Sequence, residues 1–275
     1  MTPTTPRKSR VTEIADDLRT QIETSQIAPG SRLPSTRQLA EQYGAGEETI
    51  RLAIAMLKAT GIVRAHQGKG VFARDKPPLK RNGMDRYDRA NWLDQDDAVA
   101  FVVDRIASGE AYRLTDQANE VDPAFPATPE IAEALGVKPG AQVVARRRLV
   151  KDAQGKPTHE LTSYYRPEHV EGTKLMDPAP GPAGKGGGFR VMHEQGLSPE
   201  WLDEELLARI PTASEASRLG ISTGQPVVEL HRTTATDDGT VIEYAVGIHI
   251  ASRFTWHYRF RFPDSNPSRQ TPTDQ

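Results

Sequence analysis

The chain has 275 residues, enough for two domains of ordinary size that each bury a core. It has no cysteine, which excludes disulfides, thiol nucleophiles and thiolate metal sites and suits a reducing, cytoplasmic setting; its longest apolar run, 99–103, is far too short to span a membrane. The net charge of −2 divides mildly, with 11 Lys and Arg against 8 Asp and Glu over residues 1–75 and 24 against 29 beyond, as a nucleic-acid-binding head on an acidic body would have it.

Residues 1–9 and 263–275 are polar and are expected to be disordered. Ile14, Leu18 and Ile22 recur at i+4 and predict a first helix over 11–24, ended by the turn PGSRLP (29–34). Ser35 with Gln38 forms a capping box for a second helix, whose inward face is Leu39, Ala40 and Tyr43. The tight turn GAG (44–46) opens a third helix over 47–59, with Ile50, Ile54 and Leu57 inward. A short Gly turn between the second and third of three helices is helix-turn-helix spacing, in which the third helix enters the major groove. After Gly61, two short strands around AHQGKG predict a wing, where Gly68 and Gly70 permit close backbone approach and Arg64 and Lys69 supply charge for phosphates or a minor groove. The head therefore covers 10–74, and the polar, Pro-bearing 75–89 reads as a linker to a body over 90–262.

The body contains a duplication. IAEALGVKPGAQVVARRRLVKDAQGKPTHE (131–160) aligns with EASRLGISTGQPVVELHRTTATDDGTVIE (215–243), matching Leu135 to Leu219, Gly140 to Gly224, Arg148 to Arg232, Gly155 to Gly239 and, after a one-residue slip, Glu160 to Glu243. Each copy reads as a short helix with a Gly cap, a Gly turn, a strand, a Gly hairpin turn and a second strand; Thr212 to Glu215 is a capping box. Helix plus hairpin used twice predicts an α+β domain with a mostly antiparallel sheet and a pseudo-twofold axis. Between the copies, DPAPGPAGKGGG (177–188) reads as a flexible loop before a short helix over 189–195.

Enzyme chemistry finds no foothold. GPAGKG (181–186) has too few residues between its glycines for a phosphate loop and no Ser or Thr after Lys185; the 7 histidines have no metal-binding spacing, and no Ser-His-Asp set is recognisable. No metal or other cofactor is expected.

The stretch PGSRLPSTRQLAEQYGAGEETIRLAIAMLKATGIVRAHQGKGVF closely resembles the winged helix of GntR-family bacterial transcription factors. Through EALGVKPGAQVVARRRLV, DAQGKPTHELTSYY, SRLGISTGQPVVELHR and DGTVIEYAVGIH, the body resembles the UTRA effector domain of the HutC subfamily, whose fold is chorismate-lyase-like. The resemblance implies a homodimeric, cytoplasmic repressor that reads a short palindrome in double-stranded DNA and answers to a small effector such as a sugar phosphate or an organic acid. The DNA-contacting set it suggests is Ser35 and Arg37 on the second helix, Glu47, Glu48, Thr49 and Arg51 on the third, and Arg64, His66, Gln67, Gly68 and Lys69 on the wing. The effector set is Arg146, Arg148, Glu160, Ser163 and Tyr164 in the first copy, Glu243 and His249 in the second, and Arg190 near the loop. A ligand-independent dimeric regulator, suited to a mobile element, is the other reading.

Two details depart from the pattern, of which one is His249 where relatives commonly have Tyr. Relatives open the third helix with an Arg where this chain has Glu47, followed by Glu48. Carboxylates there favour the helix macrodipole, could accept from cytosine N4, or could mark a head retained for protein contacts. On the strand, alternation sends Arg146 and Arg148 one way and Arg147 the other, to a cleft or to a solvated face; Glu160 and Glu243 either orient a ligand or pair with those arginines.

Overall fold

A computed structural model describes residues 9–66, 68–74, 79–93, 99–109 and 111–259. The head begins with α1 (Arg10–Glu23), α2 (Thr36–Tyr43) and α3 (Glu47–Ala59), then the hairpin β1 (Val63–His66) and β2 (Gly70–Ala73). Leu18, Leu39, Ile50 and Leu57 are fully buried at its centre, so truncating any one to Ala removes about 2–5 kcal/mol. The capping box of Ser35 and Gln38 starts α2, and Gly44 ends it at φ 57°, a left-handed conformation that glycine adopts without steric cost. Ser9, within the stretch expected to be disordered, instead caps α1 by accepting from the Thr12 amide; residues 1–8 and 260–275 lie outside the described residues.

The stretch read as a linker is not one over its described part. Residues 79–81 form β3 (Leu79–Arg81), and Gly83–Tyr87 is a 3-10 helix whose Arg86 and Tyr87 are buried in the body. Residues 75–78 lie outside the described residues. There follow α4 (Arg89–Leu93), α5 (Ala100–Ala107), β4 (Gln117–Pro126), α6 (Pro129–Leu135), β5 (Gln142–Lys151), β6 (Pro157–Tyr165) and α7 (Pro167–Val170). The chain continues with α8 (Gly187–Glu194), β7 (Trp201–Arg209), α9 (Ala213–Leu219), β8 (Val227–Ala235), β9 (Val241–Ile250) and β10 (Phe254–Trp256).

Six strands form one sheet in the order β4-β5-β6-β9-β8-β7, every neighbouring pair antiparallel. Each repeat is strand, helix, strand, strand, and the two meet where Thr162 opposes Val246 and Ser163 opposes Ala245, which places the pseudo-twofold between β6 and β9. Helices α6 and α9 cover one face through Ile131, Leu135 and Leu219, packed on Val143, Tyr244, Ile248 and Ile250. The other face is covered by α8 and the segments before it, with Val144, Tyr165, Leu175 and Met192 between. The segment 177–188, expected to be flexible, wraps this face: Ala183 is buried, the Gly181 carbonyl accepts from Gln117 and Asn119, and α8 starts at Gly187. A parallel pair, β10 with β3, ties the end of the body to the segment that follows the head. The head touches the body where Arg74 donates to the Ser252 carbonyl (2.6 Å) and Gly61 backs onto Gln225 and Ser252.

Candidate functional site

A cavity of about 100 Å³ lies between the sheet and its covering segments. Strand alternation builds its floor: on β5, Arg146 and Arg148 point in, while Arg147 turns to the opposite face toward Glu120 and Glu160. Arg146 is 1% exposed and donates to the carbonyls of Leu175 (2.9 Å) and Asp177 (2.6 Å), with no carboxylate partner among the described residues. Burial and the neighbouring Arg148 push its guanidinium down to about 10, so it stays charged at neutral pH.

Glu243 on β9 anchors the polar side. Burial alone would raise its pKa, but Arg232, Arg148 and the hydroxyls of Ser163 and Tyr165 pull it down to about 2. Arg232 donates to it at 2.7 Å and Tyr165 at 2.9 Å; Ser163, which accepts a hydrogen bond from Arg148, donates its own hydroxyl to the same carboxylate. Arg81, from β3, donates to His249 Nε2 (3.0 Å) and Glu204 (3.0 Å); that donation makes Nε2 the acceptor and puts the ring proton on Nδ1. His249 stacks on His159 with centroids 4.8 Å apart, and burial first, then surrounding cations, pushes both well below the ordinary histidine value. Arg86 pairs with Asp104 at 2.8 Å. The roof is apolar and includes Trp92, Phe101, Phe189 and Pro182, and the N-terminus of α8 enters it at Gly186 to Gly188. Gly186 sits at φ 68° against the Trp92 carbonyl, where a Cβ has no room.

Of the expected effector residues, Arg146, Arg148, Glu243 and His249 line this cavity, and Ser163 lies directly beneath it. Glu160 and Tyr164 do not: they stand three positions and one position along the strand from Ser163, both odd offsets, so they emerge on the helix-covered face. There Glu160 is held by Arg218 of α9 at 2.7 Å, and Tyr164 packs on Phe125 and Tyr244. Arg190 also lies outside, in a neighbouring groove with Lys174, where it bonds Glu194 and the Leu93 carbonyl. Sequence reasoning missed Arg232, although the repeat pairs it with Arg148, and it missed Arg81, Arg86, Trp92 and Phe189, which carry no periodic signal.

On the head, Ser35 and Arg37 lie at the exposed start of α2, Arg37 paired with Glu41 at 3.1 Å. Arg51 bridges both carboxylates of the next helix, Glu47 at 3.0 Å and Glu48 at 3.1 Å, all three exposed, with Thr49 half-buried beside them. At the wing tip, Gly68 and Lys69 are exposed and His66 packs edge-on against Phe72; Gln67 lies outside the described residues. Arg64 differs from the others: it is half-buried, and burial and Arg253 of the body lower its pKa while Asp152 opposes them.

Three helices, a wing and a separate body with a cationic internal cavity define a winged-helix transcriptional regulator. The chain belongs to the GntR family of bacterial regulatory proteins. The gntR family model matches residues 10–73 and the UTRA domain model residues 120–255, the combination of the HutC subfamily. An HTH-type transcriptional regulator of Streptomyces coelicolor is 49% identical over 260 residues, covering 94% of this chain and 96% of that one. The HTH-type transcriptional repressor NagR of Bacillus subtilis is 26% identical over 260 residues, covering 90% and 94%. A crystal structure of a GntR-family transcriptional regulator aligns with TM-score 0.57 at 25% identity over 93% of this chain and 99% of its own. PhnF from Mycobacterium smegmatis shares the fold, with TM-score 0.54 at 18% identity over 91% and 100%. Proteins of this family regulate transcription rather than catalyse reactions; the gntR head binds DNA and UTRA domains bind small effectors. Among the described residues, no helix is long and apolar enough to cross a membrane.

Proposed function

We propose that the chain is a homodimeric repressor whose affinity for a palindromic operator is set by a small anion in the body's cavity. The observation that carries this reading is the charge of the cavity: among the described residues, five arginines line it against one carboxylate, Glu243. Glu204 and Asp104 take up Arg81 and Arg86 from behind, while Arg146 is held by backbone carbonyls and has no ion pair among the described residues, only the more distant charge of Asp177. Buried cationic charge of this kind is stabilised by an anionic ligand, and the first turn of α8 adds backbone N–H groups on the same side. The path to DNA is short. The head ends at Arg74 and Arg81 already lines the cavity, so a ligand there acts on the strand through which the head is held. Two heads on a twofold axis read half-sites only at one separation, so a modest tilt costs operator affinity. The name of the Bacillus relative, a repressor, supports the sign of regulation.

The test is fluorescence-anisotropy binding of the purified protein to its own upstream DNA and to a shuffled duplex, at two salt concentrations. The expected result is a preference of about 10³-fold or more for the native fragment that weakens with salt. Equal, feeble binding to both duplexes, followed by no enrichment from a randomised pool, would remove the DNA-reading claim.

A further inference from the structure

The chemistry of the cavity narrows the ligand, given the reading above that an effector binds there. Its carboxylate is already spent: Glu243 accepts from Arg232, Ser163, Tyr165 and Thr234, so no oxygen of it is left to orient a ligand hydroxyl. The amide nitrogen of Gln117 is committed to Asn119 and the Gly181 carbonyl. His159 has one nitrogen engaged as well: Thr158 donates its hydroxyl proton to the Val150 carbonyl and so accepts from His159 Nδ1. Its Nε2 is then one spare acceptor; otherwise, among the described residues, what the walls retain is donors. The Nε atoms of Arg148 and Arg232 are buried with no hydrogen-bond partner among the described residues, and the Arg232 guanidinium lies 5.4 Å from the Phe189 ring. The rest of the lining is hydrocarbon: Trp92, Phe101, Phe189, Leu161, Leu230 and Val150.

We propose that the ligand is a small organic acid with an apolar body, an aryl or medium-chain acyl carboxylate, rather than a sugar phosphate. A carboxylate accepts hydrogen bonds and donates none, which suits a set of spare guanidinium N–H groups. An apolar body gains from leaving water against Trp92, Phe189 and Leu230, whereas a ring of sugar hydroxyls buried there finds too few acceptors and pays their desolvation. A pocket that is mostly apolar with a few convergent polar groups recognises ligands of this kind.

Isothermal titration calorimetry of the full chain with 3-phenylpropionate, octanoate, glucose 6-phosphate and inorganic phosphate decides the question. At least one of the two acids should bind about tenfold tighter than glucose 6-phosphate or phosphate. Phe189→Ala should weaken the acid about tenfold while leaving the weak binding of phosphate unchanged, and Arg148→Gln should weaken every anion. If either variant fails to fold, the ranking on the wild-type chain stands as the test by itself. Glucose 6-phosphate binding as tightly as the acids, or tighter, would overturn the ligand class and leave the effector reading intact. No binding by any of the four at millimolar concentration would overturn both.

Discussion

At the scale of single residues, Glu243 explains how so much guanidinium charge is kept inside the body. A buried carboxylate is ordinarily pushed up, and this one is held down at about 2 because Arg232 and Arg148 outweigh the cost of burial. The fall from 4.5 to about 2 corresponds to about 3 kcal/mol. Breaking a buried pair by removing one partner costs a similar amount, roughly 3–5 kcal/mol, because the remaining charge is stranded. Glu243→Gln keeps the shape and removes the charge, so it should lower unfolding free energy by about that much at pH 7. The pH dependence follows from the direction of the shift. A folded pKa below the unfolded one gives stability that is fully present above about 4.5 and is lost as pH falls toward about 2. Urea unfolding of wild type and variant should therefore give a constant gap from neutral pH down to about 5 that closes below 4.5. A gap under about 1 kcal/mol at pH 7 would mean that the arginines are compensated elsewhere.

At the scale of elements, α3, the proposed recognition helix, exposes its two first-turn carboxylates, and they grip its own Arg51. Such exposed pairs contribute only about 0.3–0.5 kcal/mol each, so stability alone is a weak reason for them. Under the proposed DNA reading their stronger consequence is on specificity: Arg51 would meet a guanine or a phosphate only by leaving the clamp, and Glu47 would then be free to accept from cytosine N4. Glu47→Ala should change the base preferred at one position of each half-site more than it changes overall affinity, by about 1–3 kcal/mol of discrimination. Selection from a randomised duplex pool checks this, and an unchanged consensus would return Glu47 to a helix-capping role. The head was readable from sequence because every one of its signals is local: i+4 apolar repeats, the Ser35 capping box, and glycines at turns. The repeat in the body was readable for the same reason, down to the hairpins of β5 with β6 and β8 with β9. What precedes each repeat helix was not. The edge strand β4 is mostly exposed, without a clean apolar alternation, and bears Pro123 and Pro126, and β3 is three residues long and finds its partner in β10, far along the chain. The cavity shares that limit. Arg146 and Arg148 announce themselves on one strand, whereas Arg81, Trp92 and Phe189 meet them only through tertiary folding, and Glu160 looked like a member because a one-residue step along β6 changes the face.

At the scale of the whole molecule, the sheet has two edges that are treated differently. On β4, the prolines, the bulge between Asp122 and Phe125, and Glu120 blunt pairing with another chain. The other edge, β7, has no proline and an unbroken register with β8 from Trp201 to Arg209. It exposes Trp201 (62%) and Leu207 (57%), with Leu206 beside it and Ile210 (57%) just beyond. An open antiparallel edge of this kind is the place where the proposed homodimer would pair, each copy adding its β7 to the other about a twofold axis, the symmetry that reading a palindrome requires. The same edge carries Asp203 and Glu205, whose mutual repulsion in such a pair makes salt favour association. Leu207→Glu adds charge at an exposed position, so the fold should survive with its melting temperature within a few degrees of wild type. Sedimentation should show the variant as a monomer where wild type is a dimer. Its affinity for a palindromic duplex should fall by about 10²–10⁴-fold, the factor gained when a second head binds as part of the same particle, while its affinity for a single half-site stays the same. A variant that still sediments as a dimer would move the interface off β7, and one that is monomeric yet binds the palindrome undiminished would show that the two heads do not act together.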